Sequence, residues 1–367
     1  MKERLREMDF IRAVAALSII AIHISAQFVL NSRIAYYINQ AVRYAVPLFI
    51  LISGLLLYNS AEIRHGLKGY LKFMSKRLKK VFIPYLIWTL LYIAYIRRHD
   101  LASIWLERNR FLPETFKTIL LGGGYLHLYF VIIIIQLYLL FPLLKHLMQK
   151  HGNAVLAVCF AITFFFQTAI YLKLMRIITF PDFVIQYYKF FPTWIFYFVF
   201  GMYFAEKKET WNARYGSKLF GIAAVWLLSF IILILDSRYS KTFDSSIKPS
   251  VMLYCITTFL LFHSVLLKFR DSNSILWKAL DWISAQSYLL YLSHLMIMNL
   301  IVVGTKRLIP YGLWPQTTGL ALLYTATTLL TCLFAYIVSK TTIAGFLGGA
   351  APKRLKQPSA NVQSKSV

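Results

Sequence analysis

The stretch DFIRAVAALSIIAIHIS, residues 9 to 25, sets Arg12 and His23 eleven positions apart in an otherwise apolar run. On an α-helix eleven residues turn through about 1100°, roughly 20° past three full turns, and rise ~16 Å. The two side chains therefore share one face at different depths. A guanidinium grips a phosphate in bidentate fashion. A neutral imidazole, titrating near about 6.5, suits the role of general base toward a hydroxyl. Taken singly, Arg12 also reads as an interfacial residue that snorkels, helped by Asp9 one turn earlier, and His23 as an interhelical hydrogen bonder. Their shared face favours a site, because ionisable groups inside a membrane mark sites and pathways. The pair suggests a phosphorylated donor met at one membrane edge and a base acting on an acceptor deeper in.

Other chemistry is scarce. The fourteen Asp and Glu residues fall in loops or at span edges in the sequence, Asp9 and Asp236 included. No buried carboxylate is expected as a proton relay or metal ligand. Cys159, Cys255 and Cys332 stand far apart within apolar stretches, with neither disulfide nor metal-ligand spacing. They read as packing residues, and no metal site is expected.

The elements that must hold Arg12 and His23 are membrane spans. The chain of 367 residues is 59% hydrophobic and 15% charged, against ~25% charged in soluble domains. Apolar runs of spanning length recur from end to end, which excludes a soluble fold with one anchor. Ten spans are predicted, near 9–30, 44–58, 81–96, 118–144, 153–172, 192–206, 219–236, 249–267, 281–304 and 316–339. The first, although preceded by basic MKERLRE, is expected to be retained rather than cleaved, since Arg12 and His23 interrupt it. The fold class is all-α, a polytopic integral membrane protein of about ten helices with both termini cytoplasmic. That orientation rests on seven Lys and Arg in 59–80 against Arg33 and the marginal Arg43 in 31–43. The net charge of +26 sits mainly in short loops, as expected of a chain meeting anionic headgroups; no nucleic-acid partner is implied. Residues 1–340 form one membrane domain, and 341–367 read as a flexible basic cytoplasmic tail.

Residues 68–88, KGYLKFMSKRLKKVFIPYLIW, merge a basic, partly amphipathic stretch into the third span, with Pro84 expected near that helix's start. The stretch reads either as a topology signal lying on acidic headgroups or as a cradle for a phosphorylated ligand built from Arg77, Lys79 and Lys80.

In these segments the chain resembles the membrane acyltransferase 3 family, in its exopolysaccharide-modifying branch. The (Asp/Glu)-x-x-Arg-x10-His pattern is met by Asp9, Arg12 and His23. VPLFILISGLLLY carries the Ser53–Gly54 pair, and KRLKKVFIPYLIW carries Arg77, Lys80, Pro84 and Tyr85. GYLHLYFVIIIIQLYLLFPLL is similar to the fourth-helix region, with Tyr129 where a Trp is common. SAQSYLLYLSHLMIM, with Tyr291 and His294, is similar to the late Ser-x-Tyr…His segment. The resemblance covers nearly the whole chain and implies transfer of an acyl group, often acetyl, from acyl-CoA to a carbohydrate hydroxyl. It implies His23 as catalytic base, and Arg12 with Arg77 and Lys80 on the donor's phosphates. It implies acyl-CoA, acetyl-CoA foremost, as a donor substrate rather than a permanently bound cofactor. The expected partners are a glycan acceptor, the lipid bilayer and polysaccharide synthesis or export machinery. The expected setting is the plasma membrane, in cell-envelope or biofilm modification. His127 could meet the acceptor or merely sit at the interface, and His294 could be a helix-packing hydrogen bonder or a second base. Without the W-S-L-x-x-E motif of other branches, no carboxylate in the fourth-helix region takes a role. The tail is too short for the hydrolase-like domain of some relatives, so the acyl group is expected to pass directly to its acceptor or to a separate protein.

The rival from another class is an exporter or flippase of polysaccharide intermediates. Against it stand the Arg/His pairing and the lack of expected buried carboxylates. A membrane acyltransferase of the unrelated type, with its His deep in the chain, fits the N-terminal place of His23 poorly. A non-catalytic scaffold would leave the shared face unexplained.

Overall fold

The computed structural model describes residues 5–60, 66–98, 108–215, 218–269, 274–308 and 316–350. Every regular element among them is helical. In chain order they are α1 (Arg6–Ser25), α2 (Arg33–Ala41), α3 (Ala45–Ser60), α4 (Leu67–Ile96), α5 (Arg108–Leu120), α6 (Tyr129–Leu174) and α7 (Phe183–Gln186). After two short 3-10 turns follow α8 (Ile195–Glu206), α9 (Lys208–Tyr215), α10 (Leu219–Ser240), α11 (Pro249–Leu267), α12 (Ile275–Leu308) and α13 (Gln316–Ser339).

Among the described residues, eight helical stretches, including one that runs through α2 and α3, are long and apolar enough to cross a bilayer. One of them, α6, has 46 residues, ~69 Å if straight, more than twice a hydrocarbon core of ~30 Å. It leaves helical geometry at His151 (φ −139°, ψ 45°), so two apolar helices are joined at a kink. The twelve-residue α8 is shorter than a span, and most of its side chains are buried. It is sheathed in protein by backbone contact with α3. A Cβ on Gly54 would stand 2.1 Å from the Phe198 carbonyl oxygen, and one on Gly201 2.0 Å from that of Leu51. Only glycine permits that approach, the way small residues bring membrane helices together. By contrast α10 exposes Phe220, Leu228 and Leu235, apolar groups suited to lipid.

Two boundaries and one side chain differ from the sequence reading. Helix α4 begins at Leu67, so the basic stretch is its first half and Pro84 lies in its interior. There proline removes the amide that would bond the carbonyl of residue 80. The fourth span starts at Tyr129 rather than 118, because the glycines after α5 impose turns. Gly122 has φ +66°, and a Cβ on Gly124 would press on Thr89. Finally, Glu7 is buried on α1, with Oε1 2.8 Å from Lys208 Nζ. A carboxylate at the edge of the first span is thus buried. A lysine from a distant helix satisfies the charge, a pairing that local sequence does not reveal.

Residues 341–350, grouped with the tail in the sequence reading, run as turns packed on the bundle. Trp88 Nε1 donates to the Leu347 carbonyl (3.1 Å). Gln286 both donates to the Ala350 carbonyl (3.1 Å) and accepts from its amide (3.0 Å). Residues 351–367 lie outside the described residues.

Candidate functional site

Helix α1 packs along α12, and contacts at two levels fix their register. At one end Arg12 Nε donates to Ser284 Oγ (2.9 Å). At the other the His23 and His294 rings lie 5.3 Å apart between centroids. The helices are thus parallel, since both pairs climb together. Helix α4 follows the same direction: Tyr288 Oη donates to the Val81 carbonyl (2.7 Å), and Tyr92 Oη to that of Leu292 (2.9 Å). The first half of α6 runs the other way, from Tyr129 beside His23 to Tyr138 beside Arg12.

At the Arg12 end these helices enclose a cavity of about 620 Å³. Arg12, Arg77, Lys80 and Ser53 line it, with Tyr138 opposite and Gly345, Gly348 and Gly349 along one wall. Asp9 does not face this space as a free acid: Oδ1 accepts from Arg12 Nη2 (3.0 Å) and from Ser284 Oγ (3.0 Å). The carboxylate and the serine thus orient the guanidinium. Gly348 has φ +90°, and a Cβ there would crowd the Tyr288 ring at 3.0 Å. Ser53 Oγ bonds its own helix, at the Phe49 carbonyl (2.8 Å).

At the His23 end lies a smaller cavity of about 250 Å³, lined by His23, His127, Tyr129 and Arg43 and roofed by residues 244–247. His127, placed in the turn before α6, is buried. Its ring centroid is 6.3 Å from that of His23 and 5.2 Å from that of His294. Tyr291 Oη donates to its backbone carbonyl. His294 Nδ1 meets the carbonyls of Tyr291 (2.8 Å) and Leu290 (3.2 Å). Carbonyls only accept, so Nδ1 carries the proton and Nε2 keeps its lone pair. That Nε2 and both ring nitrogens of His127 are buried without partners. Unsatisfied buried nitrogens around a half-buried His23 are an arrangement that packing alone does not favour. Among the described residues, no His, Cys, Asp and Glu group is arranged to hold a metal ion.

The two cavities share Phe130 and Tyr291 as lining residues. Their rings, 5.3 Å apart, form a partition between the cationic space and the imidazole cluster. Over residues 5–340 the sequence matches a family described as an acyltransferase domain. The chain belongs to that family. Two relatives, from Staphylococcus aureus and Staphylococcus epidermidis, each carry the name probable poly-beta-1,6-N-acetyl-D-glucosamine export protein. They are 24% and 25% identical over 323 and 322 residues, covering 83% of this chain and 86% and 84% of theirs. No solved structure matches the chain.

Of the residues singled out from the sequence, Arg12, Ser53, Arg77 and Lys80 line the larger cavity, His23, His127 and Tyr129 the smaller, and Tyr291 both. Asp9 orients Arg12 and His294 stands beside His23, whereas Lys79 is exposed and Gly54 packs on Phe198. Ser284, Tyr138, Phe130 and Arg43 were not singled out. Ser284 opens the late segment already noted, so its signal was present. Arg43 reads from the sequence as a charge at a span margin, and the glycine wall as tail.

Proposed function

We propose that the protein is an integral-membrane O-acyltransferase. It moves an acyl group, acetyl foremost, from cytoplasmic acyl-CoA to a hydroxyl of a cell-envelope or extracellular polysaccharide. The observation that carries this reading is the meeting of the two cavities. One helix presents Arg12 to a cationic space and His23 to an imidazole-lined one, and Phe130 and Tyr291 line both. Acyl-CoA has the matching polarity, with phosphates at one end and a thioester at the other, joined by a flexible arm. Arg12, Arg77 and Lys80 hold the phosphates, and the arm reaches toward the partition, over a depth set by the ~16 Å between the two α1 levels. A glycan hydroxyl enters beside His23. The imidazole takes its proton as the oxygen attacks the thioester carbonyl. The carbon–sulfur bond then breaks, and the departing thiolate receives the proton. Base assistance of this kind is typically worth 10² to 10⁴-fold.

The relatives' names favour a second reading, export of a polysaccharide without covalent change. One experiment separates the two. Purified protein in lipid vesicles is given radiolabelled acetyl-CoA and a panel of envelope glycans, wild type beside His23→Ala. Label reaching a glycan with wild type alone supports acyl transfer. Absence of donor binding, donor hydrolysis and transfer, together with movement of unmodified glycan across the vesicle wall, would replace it with export.

A further inference from the structure

Arg43 is 5% exposed, and its Nε is buried without a hydrogen-bond partner. Its other two nitrogens are held by neutral oxygens: Nη1 donates to the Asp244 backbone carbonyl (2.5 Å) and Nη2 to Asn39 Oδ1. Asn39 is itself tied to the helix that carries His23. Its Nδ2 donates to the Ile22 carbonyl (3.0 Å) and to Ser25 Oγ (2.9 Å). The guanidinium is therefore fixed relative to His23 through a short, rigid bridge. It lines the same cavity as His23, beside the exposed Asp244 and the half-buried Tyr129. A buried arginine that lines a cavity with N–H groups left unused is a donor awaiting an acceptor.

We infer that Arg43 and Asp244 form the acceptor subsite, gripping adjacent oxygens of one neutral pyranose unit while a further hydroxyl is presented to His23. One sugar oxygen accepts from an unused N–H of Arg43, and a neighbouring hydroxyl donates to the Asp244 carboxylate. Tyr129 offers its ring to the sugar's C–H face. The cavity, about 250 Å³, lies below the ~300 Å³ at which drug-sized pockets begin, so it admits one sugar ring rather than a chain segment. The carboxylate at the mouth disfavours a uronic acid. This subsite rests on the acyl-transfer reading for its meaning as an acceptor site, and its test keeps the two apart.

The probes are the methyl β-glycosides of N-acetylglucosamine and glucose, with the glucuronide as anionic counterpart. Binding to protein in lipid nanodiscs is read by saturation-transfer NMR, and transfer from labelled acetyl-CoA is read beside it. Arg43→Gln is expected to lower kcat/KM for a neutral glycoside about tenfold to a hundredfold, the worth of one hydrogen bond to a charged group, with acetyl-CoA binding unchanged. Asp244→Ala keeps the backbone carbonyl that holds Arg43 and is expected to lower it several-fold. If Arg43→Gln fails to fold, Asp244→Ala decides. Unaltered glycoside binding and kcat/KM in the folded variants would overturn the subsite, as would a wild-type preference for the glucuronide. Arg43-dependent glycoside binding in a wild type that neither binds acetyl-CoA nor transfers acetyl would keep the subsite and discard acyl transfer.

Discussion

The two cavities are built on opposite plans. At the Arg12 end three cations from two helices face a cavity of about 620 Å³ walled in part by glycines. At the His23 end two imidazoles, His23 and His127, line a space less than half that size with His294 beside them, and buried nitrogens of His127 and His294 have no partner. The first plan suits a large, highly charged ligand held by many contacts. The second suits a small reacting group whose protons must move. Keeping them apart allows binding energy gathered at one end to position a group at the other, the usual way an enzyme converts contacts remote from the reaction into rate.

If that division holds, damage at each end should appear in different kinetic constants. His23→Gln is expected to lower kcat by about 10² to 10⁴-fold while donor binding, measured by equilibrium titration with acyl-CoA, stays at the wild-type value. A matching loss of donor affinity would mean that the two spaces are one site. Arg12→Ala should do the reverse, raising the donor KM about tenfold to a hundredfold with little change in the acceptor KM. Arg12→Lys should fall between, because it keeps the charge but loses the planar fork that Asp9 and Ser284 orient. The partition offers a smaller, sharper test. Phe130→Ala removes one of the two rings between the cavities, so water from the acceptor side should reach the thioester. Hydrolysis of acyl-CoA without acceptor should then rise several-fold in a thiol-release assay. An unchanged hydrolysis rate would show that Tyr291 alone closes the passage.

Much of this was legible in the sequence because it depends on helical periodicity. The spacing of Arg12 and His23 placed both on one face, and α11 and α13 fall where their apolar runs do, at Pro249–Leu267 and Gln316–Ser339. What was not legible depends on which helices meet. Nothing local to His294 or His127 says that both stand beside His23, since that follows from parallel packing of α1 with α12 and from the buried turn after the glycines. Glu7 reads as an acid at a span edge, and its pairing with Lys208, 201 residues on, is tertiary. Arg43 reads as a topology charge because Asp244, whose carbonyl it meets, lies 201 residues away. The glycines at 345, 348 and 349 read as tail because composition reports flexibility, whereas all three line the Arg12 cavity, where Gly348 has a positive φ and meets Tyr288. Periodicity carried the faces of the helices; tertiary contact decided which faces became the site.

The smallest expected effect separates the two ends by pH. The segment roofing the His23 cavity is pinned by Lys248, whose ammonium is fully buried and donates to Ser237 Oγ (2.6 Å) and the Thr242 carbonyl (3.3 Å). Asp236 Oδ2 is 3.7 Å away, yet burial outweighs it and pushes the lysine down from 10.5 to about 8. The wall at the Arg12 end is closed instead by neutral hydrogen bonds, from Trp88 and Gln286. Below pH 8 both folded and unfolded chains keep the Lys248 proton, and the penalty for burying the charge is fully present. Between about 8 and 10.5 the unfolded chain holds more protons than the folded one, so this lysine's contribution makes stability rise with pH, by at most ~1.4 kcal/mol per unit. The measurement is the melting temperature from pH 7 to 9.5 in detergent, wild type against Lys248→Met and Gln286→Leu. Relative to Lys248→Met, the wild type should gain a few degrees across that range, whereas the Gln286→Leu offset from wild type should stay flat. A pH-independent offset for Lys248→Met as well would mean that the buried amine holds its proton like any surface lysine, and the electrostatic contrast between the two walls would be lost.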